Sequence, residues 1–214
     1  MTADAPLGLF GGTFDPVHFG HLRAAYEAME RLGLESLTLL PAGTPPHRGA
    51  PMAPAEQRLA MLRLAIEPCS AFRIDDREVR REGYSYMVDT LEDIRRESAA
   101  ARPLLLLIGQ DAANTLDSWH RWQTLFELCH IVVMRRPEFH FSCSGELLEN
   151  LQDRRVNSLG QLMSRPAGGV WSLETTQLDI SSSAIRALFA VGRSPRFLLP
   201  DSVIGYIAAH GLYT

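Results

Sequence analysis

The chain has 214 residues, 46% of them hydrophobic, with 21 basic against 25 acidic side chains and a net charge of −4. Length and apolar fraction suit one generous α/β domain with a real core, and the acidic balance argues against the broad basic stripe with which proteins track DNA or RNA. Cys69, Cys129 and Cys143 form an odd, scattered set without a CxxC pair, which argues against a disulfide scaffold, a zinc site or a redox pair. The opening MTADAPLGLF has no basic segment of a secretory signal. The longest apolar run, Leu104 to Ile108, is too short to cross a bilayer. The expectation is a soluble, cytoplasmic protein with neither a nucleic-acid nor a membrane partner. The sequence is silent on oligomeric state.

Short apolar runs alternate with helical patterns along the chain, which predicts a doubly wound, mostly parallel sheet with helices on both faces. The first strand is Leu7 to Phe10. A helix follows from Phe19, with Phe19, Leu22, Tyr26 and Met29 expected on its buried face and Gly33 as its stop. Leu37 to Leu40 is the second strand, and a Pro- and Gly-rich loop, PAGTPPHRGAPMAP, separates it from a helix over Ala55 to Ile66. Phe72 to Ile74 begins a third strand. Tyr86 to Arg96 reads as a helix with Met87, Leu91 and Ile94 inward. Leu104 to Ile108 is uninterrupted apolar sequence, as in a strand buried on both faces. A helical stretch holding Trp119 and Trp122 comes next, then a strand over Ile131 to Met134. Residues 142–170 are polar and carry no clear pattern. Trp171 to Glu174 is a late strand, and helices over Ser183 to Val191 and Asp201 to His210 follow. The simplest organisation is one domain over residues 1–214, with a small helical part, 181–214, packed on it.

Compact polar clusters follow the predicted strands: GGTFDPVHFGH after the first, PPHR after the second, GQD after the fourth and RRP after the fifth. In an open parallel sheet, ligands bind outside the carboxyl ends of the strands, so these clusters outline a nucleotide-sized site. Neither GxxxxGK[ST] nor GxGxxG is present, which removes support from P-loop hydrolysis and from hydride transfer on a dinucleotide site. In their place stand Gly11, Gly12, Thr13 and Phe14, then His18, Gly20 and His21. Two glycines after a strand let a backbone approach a ligand closely. Histidines three apart at a helix start share one face, and the positive end of the helix dipole points the same way. Such donors suit a phosphate gaining negative charge in a transition state. Zinc would need a further ligand, and no Cys is nearby. Taken alone, the segment also fits a structural loop with internally satisfied histidines. Late in the chain, Ile180-Ser181-Ser182-Ser183-Ala184-Ile185-Arg186 joins three hydroxyls, able to cap a helix or bind phosphate oxygens, to an arginine fork. A Ser-rich helix cap by itself is ordinary.

GGTFDPVHFGH resembles the GxFxPxHxGH signature of the nucleotidyltransferase superfamily, and ISSSAIR resembles its ISSTxIR element. The two stand in the family's order, and the resemblance runs from Leu7 to Leu212. It implies a Rossmann-like fold. PPHR (45–48), SY (85–86), IGQD (108–111), SWHRW (118–122), RRP (135–137) and the ending LLPDSVIGYIAAHGLY are most similar to the bacterial nicotinate mononucleotide adenylyltransferase family. That implies transfer of the adenylyl group of ATP to nicotinate mononucleotide, with release of pyrophosphate, in NAD synthesis.

By resemblance, His18 and His21 are the catalytic pair, binding ATP phosphates and steadying the transition state. Gly11, Gly12, Thr13, Phe14, Gly109, Asp111, Ser181, Ser182, Ser183 and Arg186 are the ATP-binding residues. Ser85 and Tyr86 are expected at the nicotinate carboxylate, Trp119 on the pyridine ring, and His47, Arg48 and Arg136 at the mononucleotide phosphate. Mg²⁺ is expected to arrive with ATP, without dedicated protein ligands. The chain departs from the family's usual PNxxPPHK and SYT at Ala42, Arg48 and Met87. A pantetheine-phosphate enzyme, a preference for nicotinamide mononucleotide and a non-catalytic nucleotide sensor are the rival readings.

Overall fold

The computed structural model describes residues 5–44, 50–135 and 142–214. Six strands form one sheet in the order β3-β2-β1-β4-β5-β6. They are β1 (Leu7–Gly12), β2 (Leu37–Pro41), β3 (Phe72–Ile74), β4 (Leu104–Gly109), β5 (His130–Arg135) and β6 (Val170–Glu174). Every pairing is parallel, so the sheet is wholly rather than mostly parallel. Chain order reverses between β1 and β4, the switch point at which doubly wound sheets open a ligand crevice.

The apolar runs of the sequence become strands buried on both faces. In β4, Leu105 and Leu107 join one core cluster while Leu104, Leu106 and Ile108 join the other. In β5, Val132 and Met134 alternate in the same way with Ile131 and Val133. This is the period-two alternation of extended chain. The first cluster holds residues of α1 (Phe19–Arg31), α2 (Ala55–Ile66), α9 (Ser182–Ala190) and α10 (Asp201–Ala209). The second holds α4 (Met87–Glu97), α6 (Trp122–Leu128) and α7 (Gly145–Asp153). Two further short helices, α3 (Arg77–Arg80) and α5 (Gln110–Asn114), flank the cleft, and α8 (Leu159–Met163) lies in the stretch with no sequence pattern.

Three expectations need correction. The sheet-facing side of α1 is Ala24, Ala25, Ala28 and Met29, whereas Phe19 and Tyr26 are each 37% exposed. Alanines let the helix lie close to the sheet, so bulk ends up outside. In α4, Val88 and Thr90 are buried with Leu91 and Ile94, while Met87 is only half-buried, packed against the same core and lining the cleft. The stretch around Trp119 and Trp122 is not one helix. A 3₁₀ turn at Leu116–Ser118 precedes Trp119, which is extended, and Arg121 takes a left-handed conformation at φ 52° before α6 begins.

Candidate active site

The strands' common direction brings the ends of β1, β2 and β4 to one edge, where a cavity of about 240 Å³ opens. Gly11, Gly12 and Thr13 line it from β1, Ala42 from the end of β2, Gly109 from β4, Ser85 and Tyr86 from the start of α4, and Trp119 from the 3₁₀ turn. A side chain at Gly109 would meet no atom within 4 Å, so that position keeps open space at the strand end. The other two glycines answer to internal packing. A Cβ at Gly11 would stand 2.9 Å from Met87 Cε, and one at Gly12 would stand 2.8 Å from the Phe14 ring. Phe14 itself is buried at φ 50° and packs edge-on against His21, 5.2 Å between centroids. Its ring therefore supports the loop from below, and only its main chain is left for a nucleotide.

His18 is the N-cap residue of α1. Its main-chain N–H donates to His21 Nδ1 at 3.3 Å, which leaves the His21 proton on Nε2. The two rings stack with centroids 3.7 Å apart. His18 Nδ1 is buried and has no hydrogen-bond partner among the described residues. Burial pushes the His18 imidazole down to about 4. His21 is lowered as well, by burial first and then by the charge His18 would carry. Both are neutral at pH 7 and offer ring N–H groups rather than fixed cations.

ISSSAIR meets this loop from the other end of the chain. Glu27 of α1 accepts the Thr176 N–H at 2.8 Å and holds the segment after β6 against the helix. Ser181 Oγ accepts the Ala184 N–H at 3.1 Å and caps α9. Ser182 Oγ donates to Pro16 O at 2.9 Å, and Arg186 Nη1 donates to Asp15 O at 2.7 Å. Arg186 Nη2 also donates to Ser183 Oγ at 3.3 Å. All three hydroxyls thus have hydrogen bonds within the protein, and Ser182 and Arg186 stitch the motif to the residues just before His18. None of these residues lines the 240 Å³ cavity. His18, His21 and Asp111 do not line it either, and Asp111 is exposed at the start of α5 beyond Gly109.

At the cavity's far wall, Ser85 N–H donates to Thr44 O at 3.1 Å and its Oγ donates to Glu78 O at 3.2 Å. Both Ser85 donors are thereby engaged, and the residue braces the start of α4. Tyr86 packs on His120 at 4.4 Å between centroids, and His120 lines the cavity beside Trp119. His47, Arg48 and Arg136 lie outside the described residues.

Sequence reasoning missed three buried groups. Arg58 is 1% exposed and donates to the carbonyls of Thr13, Ala42, Gly43 and Ala53 at 2.7, 2.7, 2.8 and 3.2 Å. It sutures the ends of β1 and β2, and burial lowers its pKa. Glu78 lines the cavity and accepts from Thr90 Oγ1 at 2.8 Å, and burial raises its pKa. Asp15 accepts from the Met52 and Ala53 amides and from the hydroxyl of Tyr213. The only sequence signal for Asp15 is its position between the glycines and His18. The partners of Arg58 are main-chain carbonyls, which leave no signature.

The sequence model of the family described as "Cytidylyltransferase-like" matches residues 9–188. A protein of Dechloromonas aromatica (strain RCB) named "Probable nicotinate-nucleotide adenylyltransferase" is 50% identical over 211 residues, covering 97% of each chain. A protein of the same name from Hahella chejuensis (strain KCTC 2396) is 48% identical over 214 residues, covering 100% of this chain and 98% of its own. The solved nicotinic acid mononucleotide adenylyltransferase of Plasmodium falciparum complexed with NaAD superposes with a TM-score of 0.75 over 98% of this chain and 97% of that one. At 15% identity that likeness shows the fold. The chain belongs to the nicotinate-nucleotide adenylyltransferases of the cytidylyltransferase-like family.

Proposed function

We propose that the chain acts as a single nucleotidyltransferase domain over residues 1–214, transferring the adenylyl group of ATP to nicotinate mononucleotide. The products are nicotinate adenine dinucleotide and pyrophosphate. The observation that carries this reading is the meeting of the two motifs: Ser182 and Arg186 bond to the carbonyls of Pro16 and Asp15, at the root of the histidine pair and beside a cavity with an aromatic wall. The relatives' names and the neighbour solved with NaAD support the same reaction.

An oxygen of the mononucleotide 5′-phosphate attacks the α-phosphorus of ATP. The new P–O bond forms as the bond to the α,β-bridging oxygen breaks, and pyrophosphate departs with that electron pair. The attacking phosphate monoester is already ionised at neutral pH, so no general base is needed. The protein's work is orientation and charge stabilisation. His18 and His21 donate ring N–H groups to the phosphate at which charge accumulates. The Gly11–Thr13 main chain, Gly109 and Asp111 hold the adenosine side. Arg186, with Ser183 beside it, receives the departing pyrophosphate, while Ser181 and Ser182 hold that helix end in place. Tyr86, braced through Ser85, faces the nicotinate carboxylate, and Trp119 stacks on the pyridine ring. His47, Arg48 and Arg136 are the contacts assigned to the mononucleotide phosphate.

Nucleotidyltransferases use the triphosphate with a divalent metal, here assigned as Mg²⁺. Among the described residues no group of three His, Cys, Asp or Glu side chains could hold a metal ion, and Asp15 is already engaged by three donors. This donor set suits an ion carried on the phosphates and water. Such an ion supplies Lewis-acid charge neutralisation at the triphosphate. No helix among the described residues is long and apolar enough to cross a membrane; the cytoplasm, where the nucleotide substrates are dissolved, is the location we assign.

The test is pyrophosphate release from ATP and Mg²⁺ with nicotinate mononucleotide, nicotinamide mononucleotide or phosphopantetheine as acceptor. Turnover is expected with the first, at a kcat/KM well above the amide. Equal values for acid and amide would overturn the acid assignment. ATP binding without turnover on any acceptor would support a nucleotide sensor.

A further inference from the structure

We infer that Tyr213 is a positioning residue for the triphosphate half of the site, acting through the Asp15 carboxylate on the Arg186 guanidinium. This rests on the reading that Arg186 faces the triphosphate.

Tyr213 lies 198 positions from Asp15 in sequence, yet its hydroxyl donates to Asp15 Oδ1 at 2.7 Å. The residue is 6% exposed and sits at φ 63°, a conformation bulky side chains rarely adopt. The turn after α10 that presents it is anchored by the Leu212 N–H donating to Ile207 O at 3.1 Å. Its ring tilts against Phe189, 6.2 Å between centroids, on the same helix that carries Arg186. Packing of the ring would be served equally by phenylalanine. The buried, directed hydroxyl needs another reason, because hiding a polar group is costly unless its bond matters.

Asp15 supplies that reason. Its carboxylate accepts three hydrogen bonds: from Tyr213 at 2.7 Å, from the Met52 amide at 2.8 Å and from the Ala53 amide at 3.1 Å. So held, Oδ2 stays 3.8 Å from Arg186 Nη1, beyond a direct hydrogen bond. The guanidinium is fixed instead by the Asp15 carbonyl at 2.7 Å and lies beside Ser183 Oγ. The carboxylate pairs with the guanidinium at ion-pair distance without taking up its N–H groups in a direct hydrogen bond, which leaves those donors available to an outside anion. Without the hydroxyl, Oδ1 loses its shortest bond. Held then by the Met52 and Ala53 amides alone, the carboxylate can shift Oδ2 from its 3.8 Å separation into a direct hydrogen bond with Arg186, in competition with the triphosphate.

Tyr213→Phe keeps the ring and removes only this bond. KM for ATP is expected to rise about tenfold, the size of one lost hydrogen bond to a charged group. KM for nicotinate mononucleotide should stay within about twofold, given that the cavity holding Trp119 is untouched. In an Arg186→Gln background the same substitution should change KM for ATP less than about twofold, because its target is gone. An unchanged KM for ATP, an equal rise for both substrates, or full additivity with Arg186→Gln would overturn the inference. A lowered thermal midpoint without the KM split would count against it too. If the wild-type chain releases no pyrophosphate on any acceptor, the functional reading itself falls. If the wild type turns over and Tyr213→Phe matches it, only the inference does.

Discussion

The imidazoles of His18 and His21 lie stacked, 3.7 Å between centroids and 26° from coplanar, and the first residue's amide bonds to the second residue's ring. Two protonated rings at that separation would repel, and burial disfavours charge on either. The pair is built to stay neutral and to donate. On the proposed mechanism His18→Ala removes one donor to the developing charge, so kcat should fall about 10²–10³-fold. Steady-state pyrophosphate release checks the rate, and circular dichroism checks that the fold survives. A near-normal rate would take His18 out of the mechanism.

Gly20 sits inside the first turn of α1, where alanine would ordinarily stabilise the helix by about 0.5–1 kcal/mol. Here a Cβ would stand 2.9 Å from His18 Nδ1 and 3.4 Å from the Ile180 carbonyl. The His18 ring must move, and a misplacement near 1 Å costs about 10²-fold in rate. Gly20→Ala is therefore expected to lower kcat about 10–100-fold while leaving the thermal midpoint within a few degrees. Wild-type kinetics would mean that the ring position is not critical.

The buried His18 also links stability to pH. Its folded pKa of about 4 lies below the ordinary 6.5, so between those values the unfolded chain binds the proton and the native chain does not. Stability from this group is complete above pH 6.5 and is lost as pH falls toward 4. Between pH 7.5 and pH 5 the loss is about 2 kcal/mol from His18 alone, at 1.36 kcal/mol per unit. Urea unfolding of the wild type and of His18→Gln at both pH values measures it. The variant should show a pH dependence smaller by about that amount, and identical dependence would remove the linkage.

The legible parts of this molecule are those in which side-chain type alone carries the information. Leu104 to Ile108 reads as a doubly buried strand because both faces must be apolar, and it is one. The histidine pair and ISSSAIR are visible as residue types at fixed spacing, and the fold brings them together. Phe19 and Tyr26 mislead because hydropathy favours bulk, whereas close packing of α1 on the sheet selects Ala24, Ala25 and Ala28. Trp119 reads as helical by its neighbours, but the chain leaves the 3₁₀ turn there and turns the indole to the cavity. Arg58 is illegible for a different reason. On a helix it looks like a solvated charge, and its partners belong to the backbone of loops whose path is known only after folding.

Trp119 lines the cavity at the end of a turn rather than inside a helix, so its ring can be exchanged with little disturbance to secondary structure. Stacking of an aromatic base on such a ring contributes about 1–3 kcal/mol. Trp119→Ala should raise KM for the mononucleotide about tenfold or more and leave KM for ATP within about twofold, with Trp119→Phe recovering much of the loss. An equal rise for both substrates would assign the indole to packing instead.

Arg58 ties together the loops after β1 and β2. Its guanidinium bonds to Thr13 O on the β1 loop and to Ala42 O and Gly43 O on the β2 loop. Gly43 has no slack in this arrangement, because a Cβ there would stand 2.1 Å from Glu78 O. Methionine would fill much of the arginine's volume yet leave these carbonyls without their donor. Arg58→Met is expected to cost several kcal/mol, at about 1–3 kcal/mol for each buried carbonyl left without a donor, and to raise KM for ATP and for the mononucleotide together. Arg58→Lys should restore only part, because one ammonium cannot span carbonyls reached by a planar fork. Urea unfolding and two-substrate kinetics read both effects. A loss below about 0.5 kcal/mol, the range of an ordinary surface substitution, would mean that the loops hold their positions without the arginine.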